Sequence, residues 1–180
     1  VGVVPFVGFG YALFLDKYSA AHAFEARAIV APAHDLERRD GRGQRHRTKT
    51  ILKLSEEGAE FRSYLDGKKF FLTPESSIQI QRKLGADLIV QLDECTPFHV
   101  DKDYTARSMA MSMRWGDRSL AEHARHDDGR QAMYGIVQGG VYPDLRKESS
   151  EYTRDRNYFA TAIGGSLGSH KEQMYEVVAM

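Results

Sequence analysis

The pattern of apolar and polar positions changes character along the chain. Residues 1–15 are mostly apolar but interrupted by Gly2, Pro5, Gly8 and Gly10. They read as a buried, glycine-containing segment, shorter than the about 20 residues a membrane span needs. Residues 27–49 carry Arg27, Arg38, Arg39, Arg42, Arg45, Arg47 and Lys49, and Asp40-Gly41-Arg42-Gly43 breaks any helix there. Such a run is either a solvated loop or a basic patch that contacts phosphates. After Ile51 the pattern becomes regular. Gly58 to Leu72 predicts a β-hairpin turned at Asp66-Gly67, a dipeptide suited to the positive φ values of a two-residue turn. Thr73-Pro74-Glu75 then opens a helix: Thr73 caps it, Pro74 suits its first turn and Glu75 complements the positive end of its dipole. Ile78, Ile80 and Leu84 supply its apolar side.

Short apolar segments and helices alternate from there on. Ala86 to Leu92 reads as a strand buried on both faces, ending in Asp93-Glu94-Cys95-Thr96-Pro97. A helix is predicted from about Tyr104 to Ala124, with Met109, Met113 and Leu120 inward. Ala132 to Val137 is a second strand, ending in Gln138-Gly139-Gly140, with a helix after Pro143. Tyr158 to Ile163 is a third, ending in Gly164-Gly165. Ser169-His170-Lys171-Glu172 is a capping-box signature before Met174, Tyr175, Val177 and Val178. This is the grammar of βα units on a parallel sheet, an α/β fold. In open α/β sheets and in (β/α)8 barrels, ligands bind at the C-terminal ends of the strands. A barrel takes about 250 residues, so these parallel βα units plus the hairpin would form a partial (β/α)8 TIM barrel.

Composition narrows the chemistry. The 180 residues suffice for one domain with a core. Twenty-five basic and 25 acidic side chains cancel, so any recognition of nucleic acid must come from local sites. The single cysteine, Cys95, excludes a disulfide within the chain and a cysteine cluster for zinc, and a cytoplasmic setting is expected. The acids before Cys95 disfavour a thiolate, which makes it a pocket wall rather than a nucleophile. His99, His123, His126 and His170 lack metal-ligand spacing, and Trp115 reads as core.

The strand ends hold the candidate chemistry. Asp93 offers acceptors, Gln138 offers donors and an acceptor, and Gly164-Gly165 lets a ligand approach backbone N–H groups. A flat ligand with adjacent donors on one edge and a carbonyl nearby suits this set, and guanine has that form. The run Asp93-Glu94-Cys95-Thr96-Pro97 resembles the aspartate signature of bacterial-type tRNA-guanine transglycosylases, the queuine tRNA-ribosyltransferases. Gly135-Ile136-Val137-Gln138-Gly139-Gly140 resembles the glutamine motif of that family, and Ala162-Ile163-Gly164-Gly165 its glycine pair. Glu56 to Ser63, Phe71 to Glu75 and Ser112-Met113-Arg114-Trp115 are similar to it as well. The resemblance runs from about Lys53 to Met180.

The resemblance implies an irregular (β/α)8 barrel in which guanine at the tRNA wobble position is exchanged for a 7-deazaguanine in the queuosine pathway. The exchange is a double displacement at ribose C1′, the work of a pentosyltransferase. Asp93 would hold the guanine edge, and Gln138 and the Gly165 N–H the O6 side. Ser166 or Leu167 would offer a carbonyl to the 7-substituent of the incoming base, although Ser-Leu-Gly follows the glycine pair here where many relatives have Leu-Ala or Leu-Ser. The implied partners are the tRNA anticodon loop, guanine, and 7-aminomethyl-7-deazaguanine or queuine. A homodimer is implied for the full-length enzyme, with no membrane involved. The zinc of the family would be bound by ligands beyond Met180, leaving no metal ligand within this chain. Its nucleophilic and general acid/base aspartates are expected outside it too, so no residue here is assigned as catalytic. Residues 1–52 form an atypical, basic, loop-rich segment unlike the family, and 53–180 a partial TIM-barrel catalytic domain. The alternatives are a non-catalytic tRNA-binding accessory subunit of the same family and an unrelated TIM-barrel purine enzyme. A half barrel exposes strand edges, so this internal fragment is expected neither to fold independently nor to exchange bases. An isotopic guanine-exchange assay on the purified chain should therefore give no turnover.

Overall fold

The computed structural model describes residues 36–39, 45–48, 51–63, 66–96, 100–165 and 168–180. The chain divides into two compact units, Val1–Thr73 and Pro74–Met180.

In the first unit, β1 (Leu36–Arg39) pairs antiparallel with β2 (Arg45–Thr48), with Leu36 opposite Thr48. The basic stretch, read from sequence as a solvated loop or a basic patch, thus contains two paired strands. A second antiparallel sheet has the order β3-β4-β5, with β3 (Ile51–Ser55), β4 (Gly58–Arg62) and β5 (Lys69–Leu72). The expected hairpin is β4–β5, with Phe61 opposite Phe70 and their rings stacked at 5.7 Å. Its connection is wider than a two-residue turn. The Ser63 N–H donates to the Lys68 carbonyl at 2.8 Å and the Gly67 N–H to the Ser63 carbonyl at 2.9 Å, so Ser63 and Lys68 close the loop. Asp66 Oδ1 accepts from the Lys68 N–H at 3.1 Å, the local side-chain bond by which aspartate favours turns. β3, which the sequence did not reveal, joins through Glu56-Glu57, with Ser55 opposite Gly58. Gly58 is required there, since a Cβ would stand 2.2 Å from the Leu72 carbonyl oxygen.

The second unit is built on a parallel sheet of order β6-β7-β8: β6 (Leu88–Val90), β7 (Ala132–Val137) and β8 (Ala160–Ile163). α1 (Pro74–Lys83) precedes β6, and α2 (Lys102–His126), α3 (Pro143–Arg154) and α4 (Lys171–Val178) follow the three strands in turn. This is the α/β alternation that the apolar pattern predicts. Asp101 caps α2 by accepting from the Tyr104 N–H at 2.7 Å. The cap of α4 lies one residue later than the capping-box reading placed it. His170 Nδ1 accepts from the Gln173 N–H at 3.2 Å, while Gln173 Oε1 accepts from the Ser169 N–H at 3.0 Å.

The first strand differs from expectation. It is three residues long, and Leu88 is 46% exposed rather than buried. Side chains alternate across a strand, so Ile89 faces the helices while Leu88 and Val90 face the other way. The free edge of β6 is covered by a side chain: Gln81 Nε2 donates to the Val90 carbonyl, and Gln81 Oε1 accepts from the Val90 N–H, both at 2.9 Å. One amide thereby substitutes for a neighbouring strand.

Two apolar clusters hold the helices. Ile78, Ile89 and Met133 are joined by Ala86, Leu120 and Tyr158. Met109, Met113 and Leu145 are joined by Ala106, Tyr142 and Tyr152. Trp115 is fully buried, as its core reading requires. Arg118 grips Glu75 with two nitrogens, each at 2.7 Å, and ties α2 to α1. Among the described residues no helix is long and apolar enough to cross a membrane.

Ile89→Ala should lower the unfolding free energy by about 2–5 kcal/mol, the range for emptying a well-packed aliphatic site. Leu88→Ala, one residue away on the exposed face, should cost much less, and urea titration of the two variants checks the contrast.

Candidate functional site

Past Val90 and Val137 the chain leaves the sheet but stays buried, so its backbone N–H groups need other partners. Serines on the adjoining helices provide them. The Leu92 N–H donates to Ser119 Oγ at 3.5 Å and the Glu94 N–H to Ser112 Oγ at 2.9 Å, both on α2. The Gln138 N–H donates to Ser149 Oγ on α3 at 2.9 Å. These bonds fix the two loops from which Asp93 and Gln138 project.

Asp93 is 5% exposed and Gln138 is 3% exposed. Gln138 Nε2 donates to Asp93 Oδ2. The other amide atom, Gln138 Oε1, is buried without a partner among the described residues. Gly165, at the end of the third strand, stands against it, and a Cβ there would lie 3.1 Å from Gln138 Oε1. Gly165 also has φ +82°, a left-handed value that favours glycine. At Gly164 a Cβ would come within 2.3 Å of Ile136 Cγ2. Close approach thus requires glycine at 164, and the positive φ favours it at 165.

Burial pushes the Asp93 carboxyl up to about 7; the charge of Glu94 adds to the rise, and the Gln138 amide opposes it. Burial, then the charge of Asp93, pushes the Cys95 thiol up to about 11, opposed by the Gly165 N–H that faces its sulfur. Cys95 is therefore a thiol at neutral pH, in line with its reading as pocket wall. Glu94 accepts from Tyr104 Oη at 2.6 Å. That bond, followed by burial, pushes the Tyr104 hydroxyl up to about 12.

Asp93, Gln138 and Gly165, read from sequence as one constellation, meet at the ends of three neighbouring strands. Ser166 lies outside the described residues. Sequence reasoning missed Arg146, which is 4% exposed and donates from Nη1 to the Gly164 carbonyl at 3.0 Å. Arg146, Ser149 and Thr153 form a buried stripe on α3. Their three- and four-residue spacing is the available signal, but polar residues at that spacing read as a solvated face. Among the described residues no group of His, Cys, Asp and Glu could hold a metal. In chemical terms the arrangement brings together a carboxyl that titrates near neutrality, an amide, and a backbone N–H at adjoining strand ends.

Residues 38–180 match the family model described as TGT, Queuine tRNA-ribosyltransferase, and thus take in residues 38–52, which the motifs did not reach. A queuine tRNA-ribosyltransferase of Caldanaerobacter subterraneus subsp. tengcongensis is 47% identical over 130 residues, covering 72% of this chain and 34% of that protein. One from Halothermothrix orenii is 50% identical over 129 residues, covering 71% and 34%. One from Protochlamydia amoebophila is 43% identical over 139 residues, covering 77% and 36%. The chain spans about a third of the length of the curated relatives it matches.

Because the folded state raises the Asp93 pKa above the ordinary 3.8, it keeps a proton that the unfolded chain releases. The stabilisation linked to that proton is fully present below about pH 4 and is lost as pH rises through about 7. Asp93→Asn should flatten this part of the stability–pH curve, as measured by urea unfolding at a series of pH values.

Proposed function

Since this chain belongs to the queuine tRNA-ribosyltransferase family, we propose that it carries the base-recognition part of a tRNA-guanine transglycosylase. The reaction is the exchange of guanine at the tRNA wobble position for a 7-deazaguanine by double displacement at ribose C1′. The observation that carries this reading is the buried Asp93–Gln138 pair, a carboxyl and an amide bonded to each other beside the Gly165 backbone.

In this proposal Asp93 accepts from guanine N1–H and from the exocyclic amine. Gln138 Nε2 turns from Asp93 to the purine O6, which also takes the Gly165 N–H. Ser166 keeps its role toward the 7-substituent. Asp93 binds as the carboxylate, so base binding releases a proton wherever the empty site holds one. The parallel βα units belong to a (β/α)8 barrel in the longer proteins. Residues 1–52 stand as a separate N-terminal segment, with 53–180 as the barrel part. The partners are the tRNA anticodon loop and, as incoming base, 7-aminomethyl-7-deazaguanine or queuine, acting in the cytoplasm with a homodimer as the assembly. Zinc belongs to residues other than those described, and no step proposed for this chain passes through it.

Calorimetric titration tests the reading. The full-length protein should bind guanine and discriminate against adenine, which lacks N1–H and the 2-amino group. Asp93→Ala should weaken guanine binding about ten- to a hundredfold, the scale of a lost charge-assisted pair of hydrogen bonds. Equal binding of the two purines, or no change in Asp93→Ala, refutes it.

A further inference from the structure

Arg146 is the one buried guanidinium in contact with the candidate site's backbone, and the reading above gives it no role. Among the described residues its hydrogen-bond partner is the Gly164 carbonyl, to which Nη1 donates at 3.0 Å. No carboxylate pairs with it among the described residues, in contrast to Arg118, which is held by Glu75. Burial alone acts on its acidity, lowering the pKa from the usual arginine value. Taking an unpaired cation out of water costs free energy. A neutral residue on α3 could fill the same space without that cost, so the cation's bond to Gly164 calls for an explanation.

The peptide it grips provides one. Gly164 and Gly165 are joined by a peptide whose carbonyl and N–H point in opposite directions. Arg146 holds the carbonyl side, and the N–H side faces Cys95 Sγ, next to Asp93. Sulfur is a weak acceptor, so that N–H is only lightly engaged and free to take a better acceptor. Two successive glycines, one with φ +82°, offer little steric resistance to a peptide flip. The backbone by itself does not fix which way the N–H points.

We propose that Arg146 is a positioning residue: by holding the Gly164 carbonyl it aims the Gly165 N–H into the base hollow, where it meets the 6-oxo group of the purine. A cation on the carbonyl also polarises the peptide and strengthens its N–H as a donor. The inference rests on the base-binding reading above.

The test compares Arg146→Met and Arg146→Lys with the unsubstituted full-length protein, each shown folded by circular dichroism. Guanine is titrated alongside 6-thioguanine, which keeps N1–H and the 2-amino group but offers a weak sulfur acceptor in place of O6. Arg146→Met should weaken guanine binding about tenfold, the scale of one lost hydrogen bond, while 6-thioguanine changes little. Arg146→Lys, which keeps a donor, should recover part of the guanine affinity. In the ligand-free chain, alkylation of Cys95 at alkaline pH should slow in Arg146→Met, because the N–H that stabilises its thiolate has turned away. Unchanged guanine affinity and unchanged alkylation overturn the proposal, as does an equal loss of both purines with unchanged alkylation, which would make Arg146 a packing residue only. If the unsubstituted full-length protein binds no guanine, the base-binding reading fails, and the alkylation rate alone then decides whether Arg146 sets the peptide.

Discussion

Three backbone N–H groups beyond the strand ends govern the geometry of the site. Once Leu92, Glu94 and Gln138 leave the parallel sheet they have no ladder partner, yet they remain buried. An unpaired buried N–H costs about 1–3 kcal/mol, a large part of the stability of a small domain. Ser119, Ser112 and Ser149 remove that cost from α2 and α3. The cluster around Ile78, Ile89 and Met133 in turn packs helices on the sheet, and the one around Met109, Met113 and Leu145 packs α2 against α3. The position of Asp93 and Gln138 is therefore a consequence of packing: apolar contacts place the helices, serines place the loops, and the loops place the functional groups.

Much of this was legible in the sequence. β7 runs over the residues that the apolar pattern assigns to it, because it is the central strand of the three and is paired on both sides. β6 was misjudged because hydrophobicity alone does not say whether both faces are covered, and Leu88 sits on a face that the helices do not reach. The Asp66-Gly67 turn was located but its width was not, since the closing pair Ser63–Lys68 has no distinctive residue type. Asp93, Gln138 and Gly165 were legible as a set because each follows an apolar run directly. Arg146 was illegible as a member of the site because a buried polar stripe and an exposed one share the same helical period.

Side by side in one loop, Asp93 and Glu94 meet different surroundings. Glu94 has a phenol hydroxyl from Tyr104 on its side chain, and its own N–H is held by Ser112. The side chain of Asp93 is buried, with the Gln138 amide and its own backbone N–H as donors. An ionised carboxylate has room for about four hydrogen bonds. Burial outweighs the two it has, and it holds its proton up to about 7.

Burial explains the raised pKa and bears on the kind of ligand the proposed site suits. A ligand rich in acceptors would leave Asp93 short of donors, whereas one that brings adjacent N–H groups would let it ionise. The purine edge with N1–H and a 2-amino group has that character, while its 6-oxo group needs donors of its own. The amide of Gln138 and the N–H of Gly165 are engaged by Asp93 and Cys95. In the proposed reading the base would take the place of both partners. Recognition would then be an exchange of hydrogen bonds between groups already held in position, with little loop ordering to offset the gain.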